Sequence, residues 1–119
     1  IGLLGSTHEH ADIKIYTNGR QVDLNNPKYF IKSSFVHVEN DGDEKAGNVI
    51  HIHAKGIDLK FFLESLDIKT DNTKVYVNGR LNNLGLDYTP KNKDRILVTD
   101  SNNLQELKNQ LESITSFSI

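Results

Sequence analysis

Hydrophobic and polar positions alternate through Asn48-Val49-Ile50-His51-Ile52-His53-Ala54. Successive side chains of a strand point to opposite faces, so this pattern predicts a strand over 48–54. Ile50, Ile52 and Ala54 fall on an apolar face, and Val49, His51 and His53 on the other. Residues 10–17 alternate in the same way, with Ala11, Ile13 and Ile15 on a core side and His8, His10 and Asp12 opposite them. That strand runs into Asn18-Gly19, two residues that tolerate positive φ and so predict a hairpin with a return arm over 20–24. Asn25-Asn26-Pro27 breaks the pattern, and an aromatic and β-branched stretch over 28–39 predicts a second β region. Within it His37 shares a face with Phe35 and Glu39.

The period then becomes helical. Leu59, Phe62, Leu63 and Leu66 predict a helix over 58–66, with Asp58 placed to meet the free amides of its first turn. Residues 74–78 form a strand ending in Asn78-Gly79, residues 81–93 are irregular, and Arg95–Thr99 is a short buried strand. Leu104, Leu107, Leu111 and Ile114 place one apolar stripe on a helix of 102–114, capped by Asp100 or Ser101 and docked on the domain. Ile15–Arg20 and Val75–Arg80 nearly repeat, which shared turn chemistry explains without a duplication.

At 119 residues the chain fits one domain with its own core. A net charge of −2 supplies no basic field for nucleic acid. The absence of cysteine excludes disulfides, thiolate catalysis and thiolate metal sites, and the absence of methionine removes thioether ligands. With isoleucine at residue 1, the chain reads as a processed product. Residues 1–7 are then expected to be a tail or, with apolar Ile1–Leu4, what is left of a signal or membrane anchor, and the expected location is extracytoplasmic, secreted or membrane-anchored. The loop Asn40–Gly47 is rich in oxygen ligands but lacks the spacing of an EF-hand calcium site.

The order hairpin (34–54), helix (58–66), strand (74–78) and last strand (95–99) resembles a β-grasp, or ubiquitin-like, domain. Leu59–Leu66, Val75-Tyr76-Val77-Asn78-Gly79 and Lys93–Val98 resemble the helix, the Val-Asn-Gly strand and the Gly-Asp-Arg-Ile strand of the sulfur carriers of thiamin and molybdopterin synthesis. The carriers' C-terminal Gly-Gly is missing, so the resemblance, over about 34–99, implies a fold and not their chemistry. The paired His-x-His segments are similar to those of small prokaryotic, often archaeal, extracytoplasmic domains. The expected architecture is α+β: a β-grasp-like mixed sheet with one face covered by a helix, an added N-terminal hairpin over 8–24 and a C-terminal helix.

All five histidines lie in strand-like runs of the first half. On a sheet face left open by the helix, His8, His10, His37, His51 and His53 can meet around one ion, with Asp12 and Glu39 as further ligands or as partners of a ring's second nitrogen. Strand register decides whether they converge. The expected function is a histidine-rich domain holding copper(II) or zinc for storage, delivery or sensing. Its partners would be the metal ion and a membrane-anchored or secreted protein. The alternatives are a zinc-dependent hydratase or hydrolase with a carbonic-anhydrase-like ligand pattern, a protein-interaction β-grasp module without metal, and a pH-sensitive histidine cluster. No nucleophile triad, phosphate loop or dinucleotide fingerprint is visible.

Overall fold

The unbroken alternation of the first half produces the longest strand, β1 (Glu9–Thr17), in a computed structural model that describes residues 1–42 and 44–119. Asp43, in the loop considered for calcium, lies outside the described residues. After β1 come β2 (Arg20–Gln21), β3 (Val36–His37), β4 (Val49–Ile52), α1 (Leu59–Ser65), β5 (Lys74–Val77), β6 (Arg80–Leu81), β7 (Arg95–Thr99) and α2 (Leu104–Ser113). Single 3₁₀ turns occupy Pro27–Tyr29 and Gly85–Asp87.

One mixed sheet carries the strands in the order β3-β4-β1-β7-β5-β6, with β2 paired to β1. β1 runs antiparallel to β4 and parallel to β7, giving a β-grasp-like α+β fold. The strand expected as an added hairpin is therefore the centre of the sheet. The expected hairpin over 34–54 forms as the short antiparallel pair of β3 with β4, and β4 also pairs antiparallel with β1 on its other side. The long connection between β2 and β4 contributes only the two-residue β3, because Pro27 starts a 3₁₀ turn and Ile31 adopts a positive φ of 47°. This connection packs tightly on itself at Gly47, where φ is 78° and an added Cβ would lie 2.2 Å from the backbone nitrogen of Asn25. Only glycine fits there.

Both Asn-Gly pairs make the same turn. Asn18 and Gly19 have φ of 52° and 76°, and Asn78 and Gly79 have 53° and 84°; two consecutive positive values define the primed turn that suits strand twist. The near-repeat is thus turn chemistry, and β6 extends as a strand where irregular chain was expected.

Alternation sorts the two faces of the sheet. Ala11, Ile13, Ile15, Ile50, Ile52, Val75, Ile96 and Val98 share a core with Leu59, Phe62 and Leu63 of α1 and with its C-cap, Leu66. Asp58 caps α1 by accepting from the Phe61 amide at 2.8 Å. The opposite face is not left open along its length. Leu97 and Thr99 are buried on that face, where Tyr16 Oη meets Ser113 Oγ of α2 at 2.9 Å. Asn103 caps α2 by accepting from the Glu106 amide at 2.9 Å, rather than Asp100, which accepts from the Asn18 amide, or Ser101, which donates to Glu106. Most of the predicted stripe faces the domain: Ile114 is buried and Leu107 and Leu111 are half-buried, together with buried Gln110, whereas Leu104 in the first turn is exposed. None of the described helices is long and apolar enough to cross a membrane.

Beyond α2 the chain is clamped to the sheet. Asp12, fully buried, accepts from Thr115 Oγ1 at 2.5 Å, from the amides of Phe117 at 2.9 Å and Ser118 at 2.8 Å, and from Ser118 Oγ. Its neighbour across the sheet, Arg95, donates to the carbonyls of Ile114 and Thr115. A hydrogen bond to a charged group contributes about 1.5–3 kcal/mol, so Asp12→Ala, which removes four of them, is expected to lower unfolding free energy by at least about that amount. Native-state hydrogen exchange should show loss of protection at the Phe117 and Ser118 amides. Unchanged protection at both would contradict the clamp.

Candidate metal centre

Pairing register brings the histidines together. His10 of β1 stands directly opposite His51 of β4, and His51 stands opposite His37 of β3, so three imidazoles form one row across three strands. His8 and His53 lie two residues from His10 and His51, on the same face by alternation. Backbone bonds hold the His53 position on both sides: its amide donates to the Phe35 carbonyl at 2.8 Å, and its carbonyl accepts from the Gly5 amide at 2.7 Å. The His10 backbone is fixed by the loop before β7, through its amide to Asn92 Oδ1 at 2.9 Å and its carbonyl from the Lys93 amide at 2.8 Å. That loop is tied in turn by buried Asp94, which accepts from the Lys91 amide and from Tyr88 Oη. Burial, with help from the Asp94 hydrogen bond and charge, pushes the Tyr88 phenol above its ordinary range.

The five rings close a circuit. Centroids are 4.9 Å apart for His8–His10, 4.6 Å for His10–His51, 5.7 Å for His51–His37, 5.0 Å for His37–His53 and 5.1 Å for His53–His8. An imidazole bound at about 2.0–2.1 Å puts its centroid about 3.2 Å from an ion, so two rings on tetrahedral positions stand about 5.2 Å apart. The observed separations bracket that value. Among the described residues, no group of three or more histidine, aspartate or glutamate side chains stands ready-made to hold an ion. The centroids are spaced for ligation, and aiming the nitrogens requires rotation about χ2, a broad torsion for histidine.

Exposure divides the cluster. His8 is exposed, His10 and His53 are half-buried, and His37 and His51 are buried. Both buried rings are engaged at both nitrogens: His37 Nδ1 donates to the Ser33 carbonyl at 2.9 Å and Nε2 lies 3.3 Å from Glu39 Oε1. His51 Nδ1 lies 3.3 Å from the same Glu39 oxygen, and its Nε2 lies 2.8 Å from Asp41 Oδ2. Desolvation first, and then the neighbouring imidazoles, hold His10 and His53 below the ordinary histidine range.

Of the residues expected at the site, the five histidines and Glu39 come together. Asp12 does not join them, because its carboxylate is consumed by the C-terminal clamp. Asp41 was missed, although His37, Glu39 and Asp41 continue one alternation and that parity was the available signal. Its Oδ1 is buried with no hydrogen-bond partner among the described residues. Beside it a cleft of about 280 Å³ is lined by His10, His51, Lys45, Val49, Phe117 and Ser118, so the clamped C-terminal segment forms one wall of the histidine region. A larger concavity of about 1060 Å³ lies at the other end of β1, around Asn18, Asn72, Lys74 and Glu106; it contains no histidine.

No family model, curated protein or solved structure matches this chain.

The titration of His10 and His53 sets a direction for acid stability. Their folded values lie below the unfolded value of 6.5, so the unfolded chain binds more protons as pH falls through that value toward the folded ones. These two residues therefore destabilise the fold as pH drops below about 6.5. Urea midpoints at pH 7.5 and 5.5, in chelator, should fall more for the wild-type protein than for His10→Gln/His53→Gln. An equal fall in both proteins would contradict the assignment.

Proposed function

We propose that this chain is a histidine-rich metal-binding domain that takes copper(II) or zinc, for storage, delivery or sensing in an extracytoplasmic setting. The observation that carries the reading is the closed circuit of five imidazoles, with neighbouring centroids at the separation of rings sharing an ion. Imidazole with nearby carboxylate and no sulfur suits these two borderline ions. Copper(II) is favoured by affinity order and zinc by tetrahedral nitrogen ligation. Glu39 and Asp41 supply the partners that orient rings through a second nitrogen. The unpartnered Asp41 Oδ1 adds a buried acceptor that a cation would satisfy.

One observation favours a second reading, a proton-responsive cluster without metal. Both His51 nitrogens face carboxylate oxygens, whereas a neutral ring carries hydrogen on only one.

The two readings separate on metal content and stability. Protein purified without nickel resin and titrated with Zn(II) or Cu(II) should bind at micromolar affinity or better. A hundredfold excess of ion over Kd should raise stability by about 2.7 kcal/mol. Replacement of all five histidines by glutamine should abolish both effects. Absence of bound metal and of any ion-dependent shift in Tm would rule out the metal reading and leave the proton-responsive one.

A further inference from the structure

Resting on the metal reading, we infer that the ion is exchangeable cargo held by His8, His10 and His53 at the solvent-facing edge of the cluster, with its fourth position open to an incoming donor. The buried pair, His37 and His51, orients the site and does not ligate.

The argument turns on lone pairs. An imidazole ligates through an unprotonated nitrogen. Both nitrogens of His37 and both of His51 already face a carbonyl or carboxylate oxygen, so a metal ion bound to either ring must take the place of one of these partners. The ring nitrogens of His8, His10 and His53 make no hydrogen bond among the described residues. His8 is the common neighbour, 4.9 Å from His10 and 5.1 Å from His53, and it is the most exposed of the five. An ion under His8 is therefore bound on the protein side by three rings and faces water on the other.

Glu39 and Asp41 keep the buried pair in place, and His51 in turn packs edge-on against His10 at 4.6 Å. This arrangement supports the open ring from behind. Three protein ligands with one accessible position suit transfer by ligand exchange: a nitrogen or carboxylate donor from a partner binds the open position before the histidines let go.

Two measurements test the proposal with Zn(II) as the probe. In calorimetric titrations, His8→Gln/His10→Gln/His53→Gln should lose more than the roughly 100-fold that removal of an orienting neighbour costs, whereas His37→Gln/His51→Gln should lose about 10- to 100-fold or less. Ring-nitrogen NMR of the wild-type protein provides the same test without a variant: the three outer imidazoles should shift on Zn(II) addition and keep one bound nitrogen each. Transfer of Zn(II) to a chromophoric chelator should accelerate in proportion to chelator concentration. Binding that survives the outer triple change but is lost with the buried pair would overturn this inference and leave the metal reading standing. So would a transfer rate independent of chelator. No binding by the wild-type protein would remove both.

Discussion

The row His10, His51 and His37, each directly opposite the next across β1, β4 and β3, is the constraint on which the site depends. A slip of one residue in either pairing would send a histidine through the sheet into the apolar core, because strand side chains alternate faces. Register is held against such a slip by what lies on the other side: Ala11 faces Ile50 in the same ladder, and both are fully buried under α1. The apolar core thus fixes the imidazoles without touching them. His8 and His53 follow at no further cost in specification, since each lies two residues beyond His10 or His51, just past the end of the same strand.

The polar face is divided between two tenants. α2 and the segment after it cover the far part, where Tyr16, Leu97 and Thr99 lie, and the clamp on Asp12 ends that cover beside His10. What remains is the corner formed by the start of β1, the end of β4 and β3, and it is filled by imidazoles. Desolvation first, and then like-charging rings gathered 4.6–5.7 Å apart, disfavour protonation of His10 and His53 and leave their nitrogens available. At the buried end Glu39 and Asp41 stand within 3.3 Å of the His37 and His51 ring nitrogens. The result is a gradient across one small surface, from hydrogen-bonded rings inside to free rings outside.

Period-two and helical patterns were enough to place β1, β4, β5, β7, α1 and α2, and the parity of histidines on β1 and β4 was legible before any coordinates. Sheet order was not, because the partner of a strand depends on long-range packing. Residues 9–17 look like an edge addition when the resemblance starts at residue 34, yet their two apolar neighbours across the sheet make them the centre. Asp12 shows the limit of parity for the site: it shares a face with His10, but residues more than 100 positions later claim its carboxylate. The leucine stripe of α2 was legible except at its start: Leu107, Leu111 and Ile114 turn toward the domain, and Leu104, in the first turn, is left in solvent.

Convergence of imidazoles on a shared ion is most directly tested by an anomalous-difference map at the zinc edge from crystals grown with Zn(II). The account predicts a peak beside His8, bonded to His8, His10 and His53 at about 2.0–2.1 Å. Rings that keep their hydrogen-bonded or solvent-facing positions, with no peak among them, would contradict it.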